Sequence, residues 1–273
     1  MKIFKSGIYL FFPYLKYNVL MKQNELVAIK ERFQETPILE KTGLIDFIVA
    51  SFPGKDRRYA RFYLADILKS GIAYPVRTGI WKRADGKKAF SAEPEVDPIL
   101  RKSLAKILPP CLLSVWDTSS LNRFLSLQSF QNFSIVSSFS YCQEDVFSSL
   151  SASSYFPLPL KTFLSAKEKP ASPRLVLVSS MNEDAPLFRG RQKFNPTLDK
   201  SLVAFPRIEK ILIDCFCGDV PLDPAQVREI FSNAFSTYFV NLSVLERYAR
   251  SRGKKEEILS LLNELDLEED DND

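Results

Sequence analysis

The stretch LADILKSGIAYPVRTGIWKRADGKKAF, residues 64–90, constrains the fold of this chain more than any other. A helical apolar rhythm runs into Gly71 and stops. Two short β-prone runs follow, IAYPV and GIWKR, the second opening on Gly79 and separated from the first by Arg77 and Thr78, and Asp85-Gly86 then supplies a strong short-range turn signal. Upstream, Leu44, Ile45, Ile48, Val49 and Phe52 recur at helical spacing and end at the Phe-Pro-Gly of 52–54. Tyr59, Phe62, Tyr63, Ala65, Ile67 and Leu68 continue as a second helical patch.

Two helices meeting a hairpin form the outline of a winged helix-turn-helix, and the charge distribution fits that outline. Between Lys55 and Phe90 there are ten basic residues against three acidic ones, Asp56, Asp66 and Asp85, although the whole chain carries only +4. Arg57, Arg58 and Arg61 are expected to face a nucleic-acid groove. The wing is expected to carry Arg77, Lys82 and Arg83 to flanking phosphates, the contacts that supply most of the salt-dependent affinity for duplex DNA. A solvated basic face is the plainer reading of the same residues. Trp81 is expected to pin the wing against the helices, with a nucleic-acid contact as the alternative.

Four domains or segments follow from this pattern. Residues 1–21 read as an extension: Lys2 and Lys5 precede an apolar run, but Pro13 and Lys16 interrupt it, no small-residue cleavage site follows, and it is too short to span a bilayer. Translation could equally start at Met21. Residues 22–95 are the winged-helix unit and 96–265 a larger α/β domain ending in helices. The Pro-punctuated stretch 91–110 reads as the connection between them. Residues 266–273, rich in Asp and Glu, read as a disordered acidic tail. The fold class is thus α+β, and a cytoplasmic location follows from four irregularly spaced cysteines that suggest no secreted disulfide framework.

The second domain alternates strand-like and helix-like runs. VWDTSSLNRFL has an apolar strand followed by an N-cap at Asp117 or Thr118, FSIVSSF and PRLVLVSS are strands, and QEDVFSSL is a short helix. PRIEKILIDCF places Ile208, Ile211, Leu212 and Cys215 on one face, and PAQVREIFSNAFSTY, SVLERYARSRG and KKEEILSLLNEL complete a helical end.

No catalytic constellation emerges. The chain has no His, so a serine triad lacks its base, and Cys215-x-Cys217 without a second pair is a weak metal signal. Neither a dinucleotide nor a P-loop glycine pattern is present. Glu209 and Asp214, five apart, lie on different sides of a helix, which argues against a paired-carboxylate nuclease site. No catalytic, cofactor or metal residues are therefore assigned.

VWDTSSLNRFL, QEDVFSSL, FPRIEKILIDCFCGD and REIFSNAFSTYFVNLSVLERYARSRGKKEEI, taken in order, resemble the AbiEi-type antitoxins, the regulator half of bacterial abortive-infection toxin–antitoxin pairs of type IV. The resemblance spans about residues 42–262. It implies a winged-helix DNA-binding domain fused to an α/β antitoxin domain, a repressor that autoregulates its own two-gene operon by binding an operator in duplex DNA, and a nucleotidyltransferase-like toxin as partner in phage defence. It places Arg57, Arg58, Arg61, Arg77, Lys82 and Arg83 in the DNA-binding portion. Arg247, Arg250 and Arg252 fall in the RYARSRG helix, as a partner or second polyanion surface. LSLQSFQNF departs from the family pattern, where a more polar segment with His is expected. A metal-dependent nuclease of a phage-defence system and a non-catalytic interaction scaffold are the alternatives.

Overall fold

The computed structural model describes residues 20–107, 112–127, 132–170, 172, 174–188 and 202–265. The proposed extension at the N-terminus, apart from Leu20 and Met21, and the acidic tail lie outside the described residues. The chain is mixed α+β and divides into two compact units, Met1–Lys88 and Ala89–Asp273.

The first unit runs α1 (Gln23–Glu35), β1 (Ile38–Glu40), α2 (Lys41–Ser51), α3 (Ala60–Lys69), β2 (Ala73–Arg77) and β3 (Ile80–Arg83). The strands form one antiparallel sheet in the order β1-β3-β2. Pro75 is tolerated because β2 is an edge strand, where a missing N–H costs no ladder bond. The Asp85-Gly86 signal is realised: both residues adopt left-handed backbone, at φ 46° and 84°.

In α3 the buried residues are Tyr63, Leu64 and Ile67. They share a face at i, i+1 and i+4, and pack with Ile29, Phe33, Leu44, Ile48 and Trp81. Trp81 is 6% exposed and is part of this core, which realises its packing role. The expected apolar patch is displaced in one respect. Phe62 and Ala65 lie on the exposed side, because Leu64 completes the buried face in their stead.

Lys55, one of the ten basic residues, is withdrawn from the surface. Its ammonium pairs with Glu25 at 3.0 Å and donates to the Leu20 carbonyl at 2.7 Å, while Glu25 also accepts the Lys22 backbone N–H at the start of α1. The pair therefore joins α1 to the loop ahead of α3.

The second unit begins with α4 (Pro98–Leu104), followed by β4 (Leu112–Asp117), β5 (Ser134–Ser138), α5 (Gln143–Ala152), β6 (Phe156–Pro159), α6 (Leu160–Ser165) and β7 (Leu175–Ser180). After them come β8 (Leu187–Phe188), β9 (Leu202–Pro206), α7 (Ile208–Phe216), α8 (Pro224–Thr237), α9 (Leu242–Ser251) and α10 (Lys255–Glu264). The six strands are ordered β6-β7-β5-β4-β9-β8. β6, β7 and β5 are mutually parallel, so their carboxyl ends share one edge; β4 is antiparallel to β5 and parallel to β9.

Residues 91–107 are not a connection between domains. Val96, Leu100, Leu104 and Ile107 pack into the core with Leu113, Val115, Val136, Val146 and Leu150. Pro98 occupies the first turn of α4 behind Asp97, whose side chain caps the Ile99 N–H, so this proline starts a helix where the sequence suggested a break. Asp117 likewise caps a short 3-10 turn, Thr118–Arg123, by accepting from Ser119 N–H.

The helix α7 is enclosed on all sides. Every residue from Ile208 to Cys215 is buried, beyond the single face expected from its apolar spacing. α8 opens with a full capping box, Asp223 accepting from Gln226 N–H and Gln226 accepting from Asp223 N–H.

Candidate nucleic-acid interface and buried charge network

The inward residues of α3 leave Arg61, Phe62, Ala65 and Lys69 on the exposed side. Phe62 is half exposed for an aromatic, at 36%, and the Arg61 guanidinium lies 4.7 Å from its ring centroid. Arg61 has no ion-pair partner among the described residues. Ahead of α3, Asp56 caps a 3-10 turn, Arg57–Tyr59, by accepting from Arg58 N–H at 2.8 Å. That turn carries Arg57 and Arg58 just ahead of Arg61, the second residue of α3.

The remaining predicted cations divide between local carboxylates and the hairpin. Arg57 donates to Asp46 of α2 at 2.7 Å, and Arg58 to Asp56 at 2.6 Å; both arginine side chains stay more than half exposed. The Arg58 guanidinium holds the Asp56 carboxyl below its ordinary 3.8. Arg83 pairs with Asp85 at the turn beyond β3. Arg77 and Lys82 are half-buried on β2 and β3. Exposed pairs of this kind contribute about 0–1 kcal/mol. Phe62 and Ala65 are the residues of the expected apolar patch that the structure places on this surface.

In the second unit a charge network surrounds the end of α7. Asp214 accepts from the Lys210 ammonium, from the Tyr248 hydroxyl at 2.9 Å and from Arg252 Nη1 at 2.9 Å. Arg252 Nη2 donates to Asp219 at 2.9 Å. Two cations thus balance two carboxylates. Burial and the neighbouring Asp214 hold the Asp219 carboxyl above its ordinary 3.8, against the pull of Arg252. Burial opposes the charge on Arg252, but Asp219, the Tyr248 hydroxyl and Asp214 outweigh it, and its pKa rises. Burial and Asp214 likewise raise the Tyr248 hydroxyl.

Arg252 therefore departs from the partner surface expected of RYARSRG. Its side chain is only 23% exposed and turned into the network, whereas Arg247 and Arg250 are exposed on α9. Glu209 belongs to a separate group: its Oε1 accepts from Arg207 Nη2 at 3.1 Å and from the Asn241 N–H at 2.9 Å, at the N-cap of α9. Glu209 and Asp214 are thus held apart in different clusters. Cys215 is buried and Cys217 half-buried; both are free thiols. Among the described residues no group of three or more His, Cys, Asp or Glu side chains could hold a metal ion, and no helix is long and apolar enough to cross a membrane.

A family of unknown function, DUF6577, matches residues 59–268, from the turn ahead of α3 into the stretch beyond α10. No curated protein matches. The chain belongs to the DUF6577 family.

Proposed function

We propose that this chain is a DNA-binding transcriptional repressor of the antitoxin kind, with the first unit as its winged helix. The observation that carries the reading is the order α1-β1-α2-α3-β2-β3 with its sheet in the order β1-β3-β2 and an outward α3 stripe of Arg61, Phe62, Ala65 and Lys69. In that arrangement α3 enters the major groove. Arg57, Arg58 and Arg61 neutralise phosphates or read guanine edges, and Phe62 and the small Ala65 offer apolar contact to thymine methyl groups. The β2–β3 hairpin is the wing, bringing Arg77, Lys82 and Arg83 to the adjacent backbone.

The antitoxin part of the proposal rests on the resemblance of PRIEKILID and LERYARSRG to AbiEi-type regulators. On that reading the protein works in the cytoplasm, represses its own two-gene operon and counteracts a nucleotidyltransferase-like toxin. Arg247 and Arg250 are the exposed cations offered to such a partner or to a second stretch of DNA.

The test is selection of duplexes from a random-sequence pool by the full chain, at low and at physiological salt. Enrichment of one sequence motif that persists at physiological salt is the expected result. Retention of no duplex even at low salt overturns the DNA-binding reading. Co-expression with the neighbouring gene separates the second part: growth arrest by that gene alone, relieved by this chain, is expected, and a harmless neighbour removes the antitoxin assignment.

A further inference from the structure

The second unit contains a cavity of about 580 Å³ that the proposed DNA-binding role does not use. It opens at the carboxyl ends of the parallel strands β6 and β7, where Pro159 and Ser180 stand. In open α/β sheets, ligands bind in crevices outside the carboxyl ends of parallel strands. The chemistry of the wall divides by element. From α6 come apolar Leu160 and Leu164, and from the strand β7 comes Val178. Polar groups come from elsewhere: Gln143 at the start of α5, Asp219 beyond α7 and Arg252 beyond α9.

These polar groups are held in place and are incompletely used. Gln143 Nε2 donates to Ser180 Oγ at 2.9 Å, and its Oε1 accepts no hydrogen bond among the described residues. Asp219 engages Arg252 through Oδ2, and its Oδ1 accepts no hydrogen bond among the described residues. Arg252 is fixed from behind by buried Asp214, so the Asp219–Arg252 edge is rigid. Lys161 is an exposed cation of α6 lining the cavity, with no ion-pair partner among the described residues. With Arg252 and Asp219 cancelling, the lining carries one net positive charge.

We infer that this cavity binds a nucleoside monophosphate. The ligand must present an apolar planar face to Leu160, Leu164 and Val178, and donors to Gln143 Oε1 and Asp219 Oδ1. It must also carry an anionic group to Lys161. A nucleobase supplies the face and the amino or imino donors, and the 5′-phosphate supplies the anion. Neither an inorganic anion nor a purely apolar molecule satisfies all three. The inference is independent of DNA binding by the first unit.

Isothermal titration calorimetry on the full chain tests it, with the adenosine, guanosine, cytidine and uridine 5′-monophosphates, the four nucleosides and inorganic phosphate as titrants. At least one nucleotide is expected to bind saturably at one site per chain, at least about tenfold more tightly than inorganic phosphate. Lys161→Ala is expected to weaken that nucleotide about tenfold, by removing a charge-assisted hydrogen bond, and to leave the matching nucleoside unchanged. Ser180→Trp, at an exposed position on the cavity, is expected to abolish binding. Should that variant fail to fold, Lys161→Glu on the surface of α6 takes its place. Failure of all four nucleotides to bind overturns the inference. So does phosphate binding as tightly as the nucleotide, or full affinity retained in a folded Ser180→Trp protein.

Discussion

Arg252 Nη1 donates to Asp214 Oδ1 at 2.9 Å, joining two residues 38 positions apart and closing the end of α9 onto α7. The carboxylate is nearly enclosed, with 7% of its side chain exposed. Among the described residues, removing the guanidinium leaves Asp214 with Lys210 and Tyr248, and Asp219 with no ion-pair partner. Breaking one side of such a buried pair costs about 3–5 kcal/mol, and Arg252→Ala is expected at the lower end because two partners remain. Urea unfolding measures it; a loss under about 1 kcal/mol would show that the network contributes little.

That network was not legible in the sequence, and the reason is its reach. Lys210 and Asp214 share a helix, but Tyr248 and Arg252 arrive from another, and no periodicity reports a pairing over such separations. Arg252 therefore read as one more surface cation of RYARSRG. Local features were legible: the helix before Gly71, the Asp85-Gly86 turn, the burial of Trp81, and the strands around Val115, Val136 and Leu177. Misreadings arose where one residue type serves two purposes. Pro98 opens α4 although proline usually marks a break, and Phe62 is apolar yet faces outward because Leu64 fills the core. The three-residue β1 is too short to show any alternation.

Leu212 is fully buried in the middle of α7. Leu212→Ala is expected to destabilise the protein by about 2–5 kcal/mol, the sum of lost transfer energy and a cavity that the surrounding helices cannot fully close. A denaturant midpoint equal to that of the unchanged protein would contradict the enclosed position of α7.

Alkaline pH should unfold the protein through α7. Burial, then Asp214 and Asp219, hold the Cys215 thiol well above its ordinary 9.0. An unfolded chain releases that proton first, so the stabilisation is complete below about pH 9 and is lost as pH rises beyond it, by up to ~1.4 kcal/mol per pH unit. The raised Tyr248 hydroxyl acts in the same direction. In Cys215→Ala the fall in stability above about pH 9 should become shallower; an identical pH profile would mean that the thiol does not contribute.

Arg247 and Arg250 stand exposed on α9, and Arg250 lies in its last turn, where a cation interacts favourably with the helix dipole by about 0.3–1 kcal/mol. Reversing both to Glu should therefore cost about 0.6–2 kcal/mol of stability, mostly through Arg250. On the partner-surface proposal it should also weaken toxin neutralisation or DNA binding. A variant that loses stability while both of those remain intact would make this a purely structural surface.

The proposed DNA interface is tested most directly by the dependence of duplex affinity on salt. Each phosphate neutralised adds about 0.9 to the slope of log affinity against log salt concentration. Arg57, Arg58 and Arg61 together should account for about 2–3 of that slope. The measurement is a salt titration of duplex binding by the full chain and by the Arg57→Ala, Arg58→Ala, Arg61→Ala triple variant. The account predicts weaker binding throughout and a slope shallower by about 2–3 in the variant; an unchanged slope would contradict it.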